Sequence, residues 1–293
     1  MNQKNLAMKN IWIISIFIFP FLLSCSDEAE EPDLIAPTIE MSQPQIFGSY
    51  SEFIPFNSLF TDNEALATYS IDIHGDFDDH DHGRVAIDPR LNIFSFKENY
   101  SLPPITSFQV NDTIPLPDSL LAGPYHFIVQ SIDRAGNATD FQNGTNVEIL
   151  IQIANSSMAI IDITNIVDDE LVIAVNQPFL VKGKITDTTE GKLAGYQEVN
   201  IDLSTPSEGF DDGHGKLSDF NESLYQETYE RNDLDPYTNP DGSLSIESMV
   251  NYTLSSEEAG QLQSQGIDHL IFTLIVEDFQ GNITFSILDV HII

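Results

Sequence analysis

The greatest concentration of potential metal ligands in this sequence lies between residues 74 and 83. Three of the chain's seven histidines fall in this stretch. Alternate residues of an extended segment point to the same side, so His80 and His82 project together. The composition and spacing therefore predict a site at which imidazoles converge on one ion. Oxygen or nitrogen ligands are offered there by His74, Asp78, His80, Asp81 and His82.

The order of these ligands indicates which ion the site prefers. Asp78, His80 and His82 occupy alternate positions with a glycine next, as in the first half of a calcium-binding loop. Imidazole replaces two of the three oxygen ligands, and imidazole favours zinc, copper, nickel or iron over calcium. Pro89 stands where the closing glutamate of an EF-hand would be, which excludes that motif. We therefore expect zinc or copper as the cofactor, with calcium as the less favoured alternative.

The strand before this loop is expected to hold further ligands on its outer face. Residues 70–74 alternate, so the isoleucines at 71 and 73 face a core while Asp72 and His74 face outward. In a sandwich, the strand of His126 is expected to begin near the end of the strand that carries His74. Asp72 or Asp81 is expected to orient a ring N–H of a ligand. The expected ligands are therefore His74, Asp78, His80, His82 and His126; the alternative is solvated histidines with aspartate neighbours, and a part-buried, hydrogen-bonded His126.

The first 24 residues predict an export signal. Lys4 and Lys9 precede an apolar segment, residues 11–23. This segment is too short for a typical membrane-spanning helix, and it is interrupted by Pro20. The segment runs into Leu-Leu-Ser-Cys, which resembles the lipobox of bacterial lipoproteins. The resemblance implies cleavage before Cys25 and lipid on its sulfur, against the alternative of an ordinary signal peptide. Because Cys25 is the only cysteine, an internal disulfide is excluded.

Residues 25–34 are acidic and poor in apolar side chains, so we expect a tether that does not pack. The run resembles the acidic export signal that sends Bacteroidetes lipoproteins to the outer face of the outer membrane; a plain solvated spacer is the alternative. We therefore expect a lipid-anchored, surface-exposed protein of the bacterial outer membrane. The chain has 11 Lys and Arg against 46 Asp and Glu, a formal charge of −35. Such a surface repels phosphate backbones, which excludes nucleic acid as a partner.

Short β-rich segments separated by turn residues dominate the chain from residue 35, which predicts an all-β fold. One helix is predicted at residues 255–265, where Ser255 caps the first turn and Glu258 follows three residues later. The clearest strand patterns lie at residues 70–74, 125–132, 147–153, 198–204, 269–276 and 283–292.

The second half of the chain repeats the first half in the same order. Residues 77–83 match residues 210–215, and residues 131–139 match residues 276–284. Seven or so short strands for each copy are typical of a sandwich. A short join at residues 155–157 is expected to restrict the angle between the copies. We therefore predict a signal peptide, a tether and two tandem Ig-like β-sandwich domains, at residues 1–24, 25–34, 35–154 and 158–293.

The second copy keeps little of the metal loop. Ser204 stands in place of His74, and His214 is the one histidine that remains in the loop. We expect this copy to have a structural or partner-binding role. His291, in the last strand, is expected to be an ordinary polar strand residue.

Each copy carries an Asp-x-x-Gly-Asn segment, which begins at Asp133 in the first copy and at Asp278 in the second. A glycine at that offset adopts the positive φ of a turn between strands. The aspartate side chain is expected to accept hydrogen bonds from the backbone of the turn. A calcium-binding role for the two aspartates is the alternative.

The first copy resembles a family of Bacteroidetes surface lipoproteins that carry an Ig-like domain of unknown function. That family combines a strand ending in His, a Phe-Asp-x-His-x-His-Gly loop, and a Tyr-His-Phe strand before Asp-x-x-Gly-Asn. The resemblance implies the sandwich, the lipid anchor and histidines that act as a set, and it brings no established biochemistry. The matching positions are His74, Phe77, Asp78, His80, His82, Gly83, Tyr125, His126, Phe127, Asp133, Gly136 and Asn137.

These features favour a binding protein rather than an enzyme. The tethered first domain is expected to capture a divalent transition metal and to deliver it to an outer-membrane receptor. The alternative is an adhesion or scaffold module that binds a glycan or protein at the cell surface, with any metal purely structural. A metal-dependent hydrolase is disfavoured, because the sequence has no separate acid–base pair, nucleophile motif or glycine-rich phosphate loop.

Overall fold

The computed structural model describes residues 32–41, 49–77, 88–140, 145–168, 170–189, 195–206 and 223–293. Asp33–Ile293 forms one compact unit. Strands make up most of its regular structure, so the prediction of an all-β fold is confirmed.

The first repeat is built from strands that are divided between two sheets. Its strands are β1 (Thr38–Met41), β2 (Ser49–Tyr50), β3 (Phe53–Thr61), β4 (Leu66–Gly75), β5 (Ser95–Ser101), β6 (Ser107–Pro115), β7 (Gly123–Asp133) and β8 (Val147–Ile153). One sheet has the order β1-β3-β6, and the other has the order β2-β8-β7-β4-β5. Neighbouring strands are antiparallel, apart from the parallel pair β2 and β8.

The second repeat has strands β9 (Ile160–Ile163), β10 (Glu170–Ile173), β11 (Gly183–Thr186), β12 (Tyr196–Ser204), β13 (Ser223–Glu230), β14 (Leu244–Ser245), β15 (His269–Asp278) and β16 (Ile283–Ile292). Two short 3-10 helices follow β13, at Arg231–Asp233 and Asp235–Tyr237. The helices α1 (Ile246–Met249) and α2 (Ser256–Ser264) connect β14 to β15.

The two repeats have the same topology. The sheets of the second repeat have the orders β9-β11-β14 and β10-β16-β15-β12-β13, so each strand lies eight numbers after its counterpart. The parallel pair recurs at the same edge, between β10 and β16. The prediction of two tandem Ig-like sandwiches is therefore confirmed.

Each repeat has its own apolar core between its two sheets. In the first core, Phe56 and Phe60 of β3 pack with Ile71 and Ile73 of β4. Burial of a side chain of this size stabilises a fold by about 2 kcal/mol relative to exposure. Because the strands alternate, the residues between these positions are directed away from the core.

A third, smaller contact joins the repeats. Leu150 of β8 and Phe285 of β16 are buried against each other. The side-chain oxygen of Asn282 accepts hydrogen bonds from Ala122 N at 3.0 Å and from Asn155 Nδ2 at 2.7 Å. Asn155 of the short join also donates to Leu120 O at 2.9 Å, so the join is hydrogen-bonded to both repeats.

The helix predicted at residues 255–265 is confirmed as α2. The Ser255 side chain accepts a hydrogen bond from Glu258 N, and the Glu258 carboxylate accepts one from Ser255 N, which forms a capping box. Along the part of the chain that the structure describes, no helix has the length and apolar character needed to span a membrane.

Candidate metal centre

His74 and His126 are direct neighbours on adjacent strands. His74 of β4 pairs with His126 of β7 in the antiparallel register, and their ring centroids are 5.5 Å apart. Because Ile71 and Ile73 are buried in the core, the alternation of β4 directs His74 to the outer face of the sheet. The expected proximity of the two strand ends is therefore present, and it brings two of the five predicted ligands together.

His74 is exposed and is oriented by Asp72. Its Nδ1 lies 3.0 Å from Asp72 Oδ1, and the other oxygen of Asp72 accepts a hydrogen bond from Lys97. Burial disfavours the ionised form of Asp72, but the bonds from Lys97 and His74 outweigh it and lower its pKa. Asp72 therefore makes the contact expected of it, and Nε2 of His74 points away from that contact.

His126 is buried between two carboxylates. Its Nε2 lies 3.1 Å from Asp76 Oδ2, and its Nδ1 lies 2.8 Å from Glu148 Oε1. The second contact is an ion pair rather than an aligned hydrogen bond. Burial alone would lower the pKa of His126, but the contacts with Asp76 and Glu148 raise it to about 9. The two carboxylates therefore favour the protonated form of this ring.

The remaining predicted residues of the loop are outside the described residues. Asp78, His80, Asp81 and His82 belong to residues 78–87, and Cys25 belongs to residues 1–31.

The described chain on each side of residues 78–87 is buried. Phe77 packs edge-on against Tyr125, with ring centroids 5.3 Å apart. Gly123 makes room for it, because a Cβ at that position would lie 2.4 Å from the Phe77 ring. At the other side, Asp88 is 5% exposed and is bonded to Arg90. The predicted loop thus starts beside the strand that carries His126.

Three carboxylates converge at a different place in the first repeat. One ligand atom each from Asp33, Asp62 and Asp133 lie within 4.8 Å of one another. Among the described residues, His74, His126 and Asp76 do not form a group of three ligand atoms that is as close. Two histidines alone therefore do not make a complete transition-metal site.

Both Asp-x-x-Gly-Asn segments form the predicted turn. Gly136 has φ 97° and Gly281 has φ 86°. Asp133 Oδ1 accepts from the backbone N–H groups of residues 136 and 137, and Asp278 Oδ1 accepts from those of residues 280 and 282. In the second repeat the turn joins β15 directly to β16, whereas residues 134–146 separate β7 from β8. The expected hairpin is therefore tight only in the second repeat.

Sequence reasoning missed four acidic residues: Asp33, Asp62, Asp76 and Glu148. Asp33 was expected to belong to the tether, yet it accepts a hydrogen bond from Asn63 Nδ2 at 2.8 Å. Asp76 continues the alternation of Asp72 and His74, so this pattern in the sequence could have identified it. Glu148 lies on β8, diagonally across from His126, and only the register of β7 against β8 reveals that.

The second repeat has no histidine at the positions that correspond to His74 and His126. Ser204 pairs with Ile271 where His74 pairs with His126 in the first repeat. Ile287 takes the position of Glu148, because it pairs with Thr273 as Glu148 pairs with Ile128. His214 lies outside the described residues.

Residues 23–150 match the family model described as Domain of unknown function (DUF4625). No curated protein matches the chain. The matched residues include the histidine pair and the three converging aspartates.

Solved structures with a similar arrangement of strands are distant. A tetra-tandem repeat from the extending region of a large adhesion protein is 14% identical, over 88% of this chain and 49% of that chain, with a TM-score of 0.23. A Salmonella alpha-2-macroglobulin mutant is 11% identical, over 88% of this chain and 15% of that chain, with a TM-score of 0.26. Two tandem V-type regions of the v-region-containing chitin binding protein VCBP3 are 8% identical, over 88% of this chain and 99% of that chain, with a TM-score of 0.26. The chain spans about half or less of the first two, and these TM-scores carry no functional conclusion.

Proposed function

We propose that the first repeat binds a divalent transition metal, zinc or copper, at the surface of a bacterial outer membrane. The observation that supports this most is the pairing of His74 with His126, with ring centroids 5.5 Å apart. Asp78, His80 and His82 are included on their sequence pattern alone. Together, imidazoles and a carboxylate meet the requirement of four-coordinate zinc.

The contacts of the two described histidines suit such a role. His74 Nδ1 faces Asp72, so its Nε2 is the nitrogen available to a metal. For His126, binding would replace the Nε2 proton by the metal and add Asp76 as a carboxylate ligand. Glu148 would keep its contact with Nδ1, as acidic partners of metal-bound histidines commonly do.

The charge of the protein supports capture rather than catalysis. A formal charge of −35 attracts cations to the surface and speeds their arrival. A captured metal ion is then available for delivery to an outer-membrane receptor.

Calorimetric titration of the detergent-solubilised full-length chain with Zn²⁺ and with Cu²⁺ tests the proposal. We expect one site with a dissociation constant far below about 1 mM. His74→Gln, at an exposed position, and the double variant His80→Gln with His82→Gln should each weaken binding by about 10-fold or more. Affinity in the millimolar range, or unchanged affinity in these variants, contradicts the proposal.

The second repeat supplies a matched control. His269 and His291 face each other across β15 and β16, as His74 and His126 do across β4 and β7. Replacing both with Gln should leave Zn²⁺ binding unchanged. If this double variant loses Zn²⁺ binding instead, the metal binds in the second repeat, and this result contradicts the proposal.

We further propose that a lipid on Cys25 anchors the protein to the outer membrane, with residues 25–32 as the spacer. Labelling of growing cells with a fatty-acid analogue should mark the protein and should not mark Cys25→Ser. Protease treatment of intact cells tests the outward orientation, since only an outward-facing domain is degraded.

The alternative proposal, an adhesion or scaffold module with a structural metal, makes a different prediction. Chelation would then lower the melting temperature strongly, and bound metal would not exchange with added metal in the folded protein. Rapid exchange in the folded state favours metal capture.

A further inference from the structure

One side of the first repeat is bordered by two free sheet edges. Strand β5 ends one sheet and β6 ends the other, and among the described strands each has a neighbour on one side alone. Most residues of both strands are exposed. A free edge presents unpaired backbone N–H and C=O groups, so it is a place where another chain can attach.

Aromatic rings line the gap between these two edges. Tyr69 of β4 stacks on Tyr100 of β5, with ring centroids 4.6 Å apart and an angle of 12° between the ring planes. Phe108 of β6 lies on the other side of the gap, 6.2 Å from the Tyr69 ring. Tyr69 is buried, whereas Tyr100 and Phe108 are partly exposed. We call the gap between these three rings, with Glu98 and Asp112 at its border, the aromatic crevice.

The two carboxylates at this border come one from each edge. Glu98 of β5 pairs with Ile71, and Asp112 of β6 pairs with Phe56, so both stand at positions that face the inside of the sandwich. Ile71 and Phe56 are buried in the core, whereas Glu98 and Asp112 are exposed because their strands lie at the edges. An inward-facing position on each edge therefore carries a negative charge instead of an apolar side chain.

Both charges act on the hydroxyl of Tyr100. Burial raises the pKa of Tyr100, and the charges of Glu98 and Asp112 raise it further. Asp112 Oδ1 accepts a hydrogen bond from Thr113 N at 2.8 Å. Within the described part of the chain, neither carboxylate forms an ion pair with a basic side chain. The crevice thus places two negative charges without a cationic partner beside an aromatic ring.

The corresponding side of the second repeat is covered by its own chain. The register of β13 against β12 makes Tyr229 the counterpart of Tyr100. The Tyr229 hydroxyl donates to Met249 O at 2.6 Å, and its ring packs edge-on against Tyr237, with centroids 5.0 Å apart. Both contacts belong to residues 231–250, the segment that follows β13. In the second repeat a protein segment therefore already occupies the side that is open in the first.

We propose that the aromatic crevice of the first repeat binds a basic segment of a partner protein, with a lysine or arginine side chain between Glu98 and Asp112. Charge complementarity selects this occupant, because the two carboxylates attract a cation and disfavour an acidic or apolar side chain. The ring of Tyr100 adds a face on which a guanidinium or ammonium group can rest. The backbone of the free edges remains available for hydrogen bonds to an extended segment.

A second copy of this chain does not suit the crevice. Its edges would bring the same two carboxylates, and inward-facing charges on edge strands oppose the pairing of like edges. The formal charge of −35 adds a general repulsion between copies, whereas it attracts a basic partner. The crevice contains none of the proposed metal ligands, so its occupation is independent of metal binding.

Fluorescence anisotropy of a labelled, capped peptide of alternating arginine and threonine, titrated with the detergent-solubilised full-length chain, tests the proposal. Salt at about 0.15 M limits attraction by the net charge to about 8 Å. We expect a dissociation constant below about 1 mM, and no binding of a control peptide with glutamine in place of arginine. Glu98→Gln and Asp112→Asn should each weaken binding about 3-fold, and the double variant about 10-fold, as for exposed ion pairs.

The second repeat again supplies a matched control. Glu227 takes the position of Glu98, because it pairs with Ile201 as Glu98 pairs with Ile71. Glu227→Gln removes the same charge and should leave the affinity unchanged. Equal losses in Glu98→Gln and Glu227→Gln would mean that net charge alone attracts the peptide, and this result overturns the proposal. Absent binding, equal binding of the glutamine peptide, or a wild-type dimer that the double variant dissociates also overturns it.

Discussion

In the first repeat the turn aspartate Asp133 lies near the carboxylates of Asp33 and Asp62, whereas in the second repeat its counterpart Asp278 has Asp187 nearby and Asn155 takes the position of Asp33. The hydrogen bonds inside the two turns are alike. The sandwich therefore needs the turn and its aspartate, and it does not need three charges at this place. What differs is whether the surrounding oxygens find protein donors: Asp33 Oδ2 and Asp62 Oδ1 have none, whereas both oxygens of Asp187 accept a hydrogen bond.

The outer face of the larger sheet shows the same contrast. The first repeat places His74, His126 and Glu148 there, and the second repeat places Ser204, Ile271 and Ile287 at the same register positions. Ile271 is buried, and Ile287 packs against the contact between the repeats. The two repeats therefore differ in what surrounds this face: in the second repeat its isoleucine at position 287 packs at the contact between the repeats, whereas in the first repeat His126 is paired with carboxylates.

Transfer of the charge pattern into the second repeat should have the largest effect on stability. Asn155→Asp removes the donor to Leu120 O and Asn282 Oδ1, and it adds a charge near Asp187 and Asp278. We expect a loss of about 4 kcal/mol, because two acceptors lose their donor and like charges meet. Urea unfolding of the wild type and of Asn155→Asp measures this. A change below about 1 kcal/mol would show that the two sites tolerate charge equally.

The second-largest expected effect is on the pH dependence of stability, to which Asp278 of the second repeat contributes. Burial raises the pKa of Asp278 from 3.8 to about 6, against hydrogen bonds from Asn282 and Gln280, and the charge of Asp187 raises it further. Between pH 4 and pH 6 the folded state therefore holds a proton that the unfolded state has lost. Stability should fall as the pH rises through this window, by roughly 3 kcal/mol from this group.

The other 45 acidic residues also titrate near this range, so the measurement is a difference. The free energy of unfolding of the wild type minus that of Asp278→Asn should decrease between pH 4 and pH 7. A difference that stays constant, or that increases with pH, contradicts the raised pKa.

The smallest expected effect concerns the helix α2, which the β6–β7 connection of the first repeat lacks. Ser255→Ala removes the acceptor for Glu258 N and should cost about 1 kcal/mol. Ser255→Asp, which keeps an acceptor at the cap, should retain most of the stability. Equal stability of the wild type and Ser255→Ala would mean that the connection does not depend on its cap.

Much of the fold follows from local patterns in the sequence. The alternation at residues 70–74 and 198–204 identifies β4 and β12, and the Ser255–Glu258 spacing identifies α2. The two Asp-x-x-Gly-Asn segments identify the turns and the repeat itself. These features depend on backbone geometry and on neighbours within a few residues, which is why the sequence by itself determined them.

The sites depend on register and on contacts between distant segments, which only the tertiary structure decided. His126 lies opposite His74 because β7 and β4 pair in one particular register, and a shift of one residue would move it to the core face. Asp33 lies beside Asp133 although 100 residues separate them, because the leading segment passes the end of β7. Such proximity has no periodic pattern in the sequence. The histidines could therefore be predicted from the sequence, whereas the carboxylates that contact His126 and the three aspartates near the start of β1 could not.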